Sequence, residues 1–256
     1  MQLTEHILTR NDCYKAGRTI VPKGIMVHST GTPQPDVNVW LRLWDQPGVD
    51  KCAHAFVHAD GVTETLPWNW RGWHAGTPPN GGTSANNTHI SFEILEPAGH
   101  TYQGGTMVGY DAEKNADYFR RVYTNAVELC AMLCRKYGLD PLRDIVDHRE
   151  GYREDMASNH ADVSHWFPRH GKSMDTLRAD VKALLEGEDE LTQEQFDAMF
   201  QTAMAAYRKE QAAKPVSSWA ETDWEAAVQA GLFDGTQPCA PLTREQAAVV
   251  FQRMQK

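Results

Sequence analysis

Two apolar segments that lie more than a hundred residues apart each run into a histidine. The first is Gly24–Ser29, which contains His28, and the second is Asp144–Arg149, which contains His148. Both are short and carry isoleucine and valine, which is typical of buried strands. Because side chains alternate along a strand, each histidine can project from a strand end into one cleft. The pattern predicts a sheet that joins distant parts of the chain.

Further strands and helices are predicted across the first 185 residues or so. The predicted strands are Ile20–His28, Cys52–His58, Val62–Leu66 after a turn at Asp60-Gly61, His89–Leu95 and Ile145–His148. The predicted helices are Asp36–Leu43, Asp111–Tyr137 and Ser173–Leu185. Strands that alternate with helices indicate a layered, mixed α/β domain.

The last seventy residues or so have a different pattern, which predicts a small all-α unit. The acidic segment Glu186–Glu190 is predicted to be a hinge, and Leu191–Ala213 a helix with an apolar stripe. Two further helices are predicted at Trp219–Ala230 and Thr243–Met254, the second capped by Thr243. We therefore expect a catalytic domain at 1–186, a hinge and linker helix at 187–217 and a helical unit at 218–256.

Composition and charge exclude several classes of partner. The net charge is −9 and no basic block is present, so we expect no nucleic-acid partner. No apolar run approaches the roughly 18 residues of a membrane helix, so we expect no membrane insertion. No Sec signal is visible at the start, and the five scattered cysteines fit a reducing compartment, so the expected location is cytoplasmic.

The two histidines are candidate ligands of a catalytic metal. Catalytic zinc usually takes three protein ligands, with neutral histidines and one carboxylate among the preferred groups. Asp162 can supply the third contact from a loop that follows His148. The rival third ligands lie in the same region: His160, His165 and His170.

A hydrolytic zinc site also needs a group that moves a proton from water to the leaving nitrogen. Glu93 is the best candidate, because alternation in its strand places it on the face opposite Ile90 and Phe92. The alternative is that Glu93 lies on the exposed face of an edge strand. His160 is a candidate for stabilising the developing oxyanion.

At these residues the chain resembles the type-2 zinc N-acetylmuramoyl-L-alanine amidases, which share their fold with the peptidoglycan recognition proteins. The resemblance covers roughly residues 20 to 185 and rests on six elements in order: Val27–Thr30, Ala53–Val57 leading to Asp60-Gly61, Trp73–Gly76, Ile90–Glu93, Asp147–Arg149 and His160–Asp162. It implies a central mixed sheet flanked by helices, with the metal at the floor of a groove.

The resemblance also implies residue roles and a reaction. It implies that His28, His148 and Asp162 bind Zn²⁺ and that Glu93 is the catalytic carboxylate. The implied reaction cleaves the amide between the lactyl group of N-acetylmuramic acid and L-alanine in bacterial peptidoglycan. The alternatives are a peptidoglycan-binding module of the same fold that does not cut, and a zinc peptidase that acts on the stem peptide.

Three positions depart from the pattern of the family. His160 stands where many members have a lysine, Val163 where many have a proline, and Ala53 where some have a tyrosine. We expect His160 to take the oxyanion role of that lysine.

Three further residues are predicted to contact the substrate. Trp73 belongs to a tryptophan-rich loop that can form a groove wall, since aromatic rings stack on sugars and peptides. His74 is expected to shape the pocket through hydrogen bonds, and Asn87 to bond the stem peptide.

The C-terminal unit resembles a single surface-layer-homology motif, of the kind that binds secondary cell-wall polymers. The elements of this resemblance are Ser218–Ala220, Gly231–Gly235 and Thr243–Ala248. One copy can bind such a polymer or mediate self-association. An amidase with such a tail resembles a phage or prophage endolysin, made in the cytoplasm and released to the wall; a host autolysin or recycling enzyme is the alternative.

Overall fold

The computed structural model describes residues 1–189 and 193–255, and the chain divides into two compact units, Met1–Asp189 and Glu190–Lys256. The strands of the first unit are β1 (Leu3–Glu5), β2 (Gly24–Ser29), β3 (Ala55–His58), β4 (Gly61–Glu64), β5 (His89–Ile94), β6 (Thr101–Gln103), β7 (Thr106–Val108) and β8 (Ile145–Asp147). Its helices are α1 (Asp12–Ala16), α2 (Val37–Trp44), α3 (Ala116–Tyr137), α4 (His148–Arg153) and α5 (Met174–Asp189).

Six strands of the first unit form one mixed sheet in the order β1-β4-β3-β5-β2-β8. Only β3 and β4 pair antiparallel; the other neighbours are parallel. In this register His28 lies beside Glu93 and Val27 lies beside Asp147. The carboxyl ends of β5, β2 and β8 therefore meet at one edge, which is where ligands commonly bind in sheets with parallel strands.

Helices cover both faces of the sheet. On one face Val27 and Phe92 pack against Phe119 and Leu129 of α3 and Leu177 of α5. Burying each such side chain stabilises the fold by roughly 1.5–3 kcal/mol. This packing confirms the predicted α/β architecture with a central mixed sheet between helices.

The opposite face of the sheet carries two smaller cores. Trp40 and Trp44 of α2 pack against Phe56 and Leu95, and Met26 packs in a separate cluster beneath α4. Because alternate residues of β2 and β5 face this side, it also receives His28 and Glu93.

Helix α4 packs tightly on β2 through a glycine. A Cβ built on Gly151 would stand 2.5 Å from the Met26 Cε atom, so any larger residue would require the end of the Met26 side chain to move. Asp147 caps this helix by accepting a hydrogen bond from the Glu150 N–H, and the Glu150 side chain accepts one from Asp147 in return. The helix that begins at His148 is thus fixed at both its cap and its packing face.

The second unit contains α6 (Gln193–Ala213), α7 (Glu221–Gln229) and α8 (Arg244–Arg253). Thr243 caps α8 and forms a capping box with Gln246, as its position before the helix predicts. The part of the predicted helix at Leu191 and Thr192 lies outside the described residues.

Two sequence predictions need correction. His148 does not end a strand: β8 stops at Asp147 and His148 opens α4, because Asp147 caps a new helix there. The predicted hinge at Glu186–Glu190 is helical as far as Asp189, since glutamate is a good helix former and a single Gly187 does not end α5. Glu190 lies outside the described residues.

Several elements have other bounds than predicted or were not predicted. Helix α3 begins at Ala116, after a turn rather than at Asp111. Elements β1, α1 and α4 and the β6–β7 hairpin had no prediction, because all are short. Within the described residues, no helix combines the length and apolar character needed to cross a bilayer.

A chain shortened to residues 1–189 is expected to fold on its own, because the three hydrophobic clusters lie within these residues. Its thermal midpoint, followed by circular dichroism, should fall by less than about 4 °C, the shift that ~1 kcal/mol produces in a domain of this size. The full-length chain is the reference. A broad transition without a midpoint would contradict the division of the chain at residue 189.

Candidate metal centre

Three potential metal ligands converge at the edge of the sheet. His28 comes from β2, His148 from the start of α4, and Asp162 from the loop that follows α4. Their donor atoms all lie within 4.8 Å of one another. The His28 Nδ1 atom is 2.9 Å from Asp162 Oδ2 and 3.1 Å from His148 Nδ1. Both histidines are almost fully buried.

The hydrogen bond between His28 Nε2 and His74 determines which ring nitrogen of His28 carries the proton. His28 Nε2 lies 3.1 Å from His74 Nδ1, and His74 Nε2 lies 3.3 Å from the carbonyl oxygen of His89. Because that carbonyl only accepts, His74 is protonated at Nε2 and accepts at Nδ1. His28 therefore donates from Nε2, and its Nδ1 lone pair points at the cluster. Such outer hydrogen bonds orient metal-binding histidines.

The outer nitrogen of His148 has its own partners. His148 Nε2 lies 3.3 Å from both Ser158 Oγ and His160 Nδ1. Its Nδ1 atom faces His28 and lies 3.7 Å from Asp162 Oδ2. The two Nδ1 atoms of the cluster are thus both turned toward one point.

The protonation states suit a cation. Burial lowers the pKa of His28, and burial together with the neighbouring histidines lowers that of His74 further, so both rings are neutral near pH 7. Burial disfavours the charged form of Asp162, but its contacts with His148 and His28 hold its pKa well below the usual range. Two imidazoles and one carboxylate fit a divalent metal with three protein ligands.

A cavity of about 290 Å³ opens above the cluster. It is lined by Ser29, Thr30, Gly31, Thr32, Trp40, Trp44, Lys51, Trp73, His74, Glu93, His148, His160 and Asp162. Of the predicted site residues, the structure therefore brings Glu93, His160, Trp73 and His74 to the cavity beside the three candidate ligands.

Glu93 is a partly exposed carboxyl in this cavity. No hydrogen-bond partner for it is present among the residues that the structure describes. Burial raises its pKa to about 8, the charge of Asp162 acts in the same direction, and Lys51 opposes them. A carboxyl with a pKa near neutrality and a free face can take up and release protons.

Asn87 does not line the cavity. Its side-chain oxygen accepts a hydrogen bond of 2.7 Å from Arg71 Nε. Its neighbour Asn86 instead accepts hydrogen bonds from the backbone N–H groups of His74 and Ala75, at 2.7 and 2.9 Å. Asn86 thus holds the loop that carries His74.

None of the three rival third ligands belongs to the cluster of donor atoms. His165 lies 3.2 Å from Glu96, and His170 stacks on Phe119 with ring centroids 4.0 Å apart. His160 lines the cavity and contacts His148 from outside the donor set. Asp162 is the group that completes the cluster.

Sequence reasoning missed other residues of the cavity wall. Trp40 and Trp44 lie four residues apart on α2, so helical spacing alone indicates a shared face. That spacing does not reveal that this face borders the site. Lys51, placed above the Trp44 ring at 5.6 Å, carries no sequence signal of its own.

A comparison with known protein families identifies the family of this chain. The family model described as N-acetylmuramoyl-L-alanine amidase matches residues 17–166, more than half of the 256 residues. This confirms the resemblance seen in the sequence. No curated protein sequence matches the chain significantly.

Solved structures share the fold. The Staphylococcus aureus hydrolase AmiA, solved with its ligand, has a TM-score of 0.54 at 22% identity over 72% of this chain and 83% of that chain. PlyL has a TM-score of 0.52 at 19% identity, over 71% of this chain and 97% of PlyL. The catalytic domain of XlyA has a TM-score of 0.51 at 20% identity, over 71% of this chain and 99% of that domain. At these identities the likeness shows the fold. The fold, the converging donor set and the matched family model together place this chain in the N-acetylmuramoyl-L-alanine amidase family of peptidoglycan hydrolases.

Proposed function

We propose that the protein is a zinc-dependent amidase that releases the stem peptide from N-acetylmuramic acid and acts as an endolysin. The observation that carries the proposal is the convergence of His28, His148 and Asp162 donor atoms within 4.8 Å at the floor of a cavity. Zinc is the metal that this donor set suits best. When bound, it would polarise the scissile carbonyl.

Glu93 is proposed as the proton carrier. Its carboxylate takes a proton from the attacking water while the water oxygen bonds to the lactyl carbonyl carbon. As the carbon–nitrogen bond breaks, Glu93 returns the proton to the alanine nitrogen, which leaves as an amine. A pKa raised to about 8 by burial supports both halves of this transfer near neutral pH.

The remaining groups of the cavity bind and orient the substrate. His160 is exposed at the cavity edge and is proposed to donate a hydrogen bond to the developing oxyanion. Trp73, with Trp40 and Trp44, offers aromatic surface for the sugar, and His74 orients His28. Asn87 takes no part in this proposal, because Arg71 engages its amide.

Digestion of purified peptidoglycan is expected to release free amino termini on L-alanine without new reducing sugar ends. The reaction should stop when a chelator removes the metal and resume when zinc is added. Binding to the wall without any cleavage would indicate a non-catalytic module of the same fold. New termini between amino acids would indicate a zinc peptidase.

Glu93→Gln is expected to keep the metal and lose at least about 100-fold in kcat/KM, because general acid–base transfer contributes roughly 10²–10⁴-fold. Zinc content by atomic spectroscopy and hydrolysis rates should be measured on the same samples. Glu113→Gln, at an exposed position before α3, is the matched control and should retain full activity. Full activity of Glu93→Gln would remove Glu93 from the mechanism.

We further propose that the C-terminal unit binds a secondary cell-wall polymer. A cavity of about 660 Å³ in this unit is lined by Trp224, Phe233 and Arg253 among others, and the first two rings lie 5.0 Å apart. The cavity is also lined by Asp234 and Glu245, and aromatic rings beside charged hydrogen-bonding groups suit a polysaccharide. Self-association is the second candidate, since Phe196, Met199, Phe200 and Tyr207 of α6 are more than half exposed.

The proposal also places the protein in the cytoplasm until its release to the wall. The five cysteines are free, and four of them are buried, which supports a reducing compartment.

The full-length protein is expected to sediment with purified cell walls more completely than residues 1–189 at equal concentration. Phe233→Ala should reduce this binding, because it removes one wall of the cavity, while Phe196→Ala on α6 serves as the control. The mass of each protein in solution should be measured by light scattering. A dimeric full-length protein with no gain in wall binding would instead support self-association.

A further inference from the structure

A carboxylate behind the metal cluster has all its acceptor sites filled. Glu96, just after β5, is fully buried. Its Oε1 atom accepts hydrogen bonds from Gly31 N and His165 Nε2, both at 3.2 Å. Its Oε2 atom accepts from Tyr102 OH at 2.7 Å and from His100 Nε2 at 3.2 Å. A carboxylate offers about four acceptor positions, so Glu96 is saturated.

The donors to Glu96 come from separate parts of the chain, and two of these parts lie beside the site. Gly31 belongs to the loop after β2 and lines the cavity. Tyr102 lies on β6, and His165 follows Asp162 by three residues. The buried carboxylate therefore connects the strand of the catalytic carboxyl to both loops beside the candidate metal.

His165 transmits this connection to the residue next to Asp162. Its Nδ1 atom lies 3.3 Å from the carbonyl oxygen of Ala161, and its backbone N–H donates to the same oxygen. Because that carbonyl and the carboxylate of Glu96 both only accept, both ring nitrogens of His165 donate. Burial opposes the charged ring, but the hydrogen bond and charge of Glu96 raise the pKa of His165.

We infer that Glu96 is a positioning residue that holds the Asp162 loop in place for metal binding, through His165 and Ala161. This inference rests on the proposed zinc site. The Asp162 carboxylate lies 2.9 Å from His28 on a loop, so the position of this loop decides whether the donors meet. A fully buried carboxylate is costly unless its hydrogen bonds are satisfied, and here two of those bonds come from Gly31, which lines the cavity, and from His165, which lies on the Asp162 loop. The alternative is that the hydrogen bonds of Glu96 only stabilise the β6–β7 hairpin and do not affect the Asp162 loop.

The test is the zinc dissociation constant of Glu96→Gln, measured by competition with a chromogenic chelator. The variant keeps the size of the side chain but turns an amide N–H₂ toward donors that need an acceptor. Zinc binding should weaken by roughly 10–100-fold, the usual cost of losing an outer partner of a metal ligand. Glu64→Gln, which makes the same change at a partly buried carboxyl on β4, is the control and should bind zinc as the wild type does.

A second variant and a metal-free measurement complete the test. Tyr102→Phe removes only the hydroxyl next to Glu96 and His165, so it should fold and weaken zinc binding in the same direction. Amide hydrogen exchange of residues 161–166 in the metal-free protein should accelerate in both variants. Unchanged zinc affinity and unchanged exchange in these variants would overturn the inference, even if stability falls. A wild type that binds no zinc would contradict the proposed function, while the exchange rates would still decide whether Glu96 fixes this loop.

Discussion

The parallel pairing of β5, β2 and β8 is the constraint on which the site depends. It sets His28 beside Glu93 and places Asp147, the cap of α4, beside Val27. His148 then follows as the first residue of α4. A slip of one residue in either pairing would turn these side chains to the other face of the sheet. Register, rather than any local motif, therefore brings the donors together.

Around this edge the chain buries several carboxylates whose oxygens are hydrogen-bonded to groups from different segments. Asp147 accepts from the Glu150 N–H and from the Ser164 hydroxyl, so one side chain connects β8, α4 and the Asp162 loop. Glu96 connects the same loop from the other side. Buried networks of this kind specify a single arrangement when every member is satisfied. The Asp162 loop is therefore held by hydrogen bonds from two sides.

Much of the fold and of the candidate site could be predicted from the sequence, because the patterns that indicate them are periodic or local. Alternation in β5 placed Glu93 opposite Phe92, and the strand ends indicated the two histidines. The start of α4 was missed because Asp147 belongs to a strand and a helix cap at once. The proximity of Glu96 to His165, sixty-nine residues away, is a purely tertiary fact that no pattern along the chain encodes. The pairing of Asn87 with Arg71 could not be predicted for a related reason, since it depends on how two loops meet.

The separation of the three donors along the chain has a thermodynamic consequence. His28 is 120 residues from His148 and 134 from Asp162, so an unfolded chain cannot gather them around one cation. In the proposed zinc enzyme the metal therefore binds almost only the native state, and a hundredfold excess over its dissociation constant adds about 2.7 kcal/mol of stability. Zinc supply would then govern how long the folded enzyme survives heat and proteases, as well as whether it cuts.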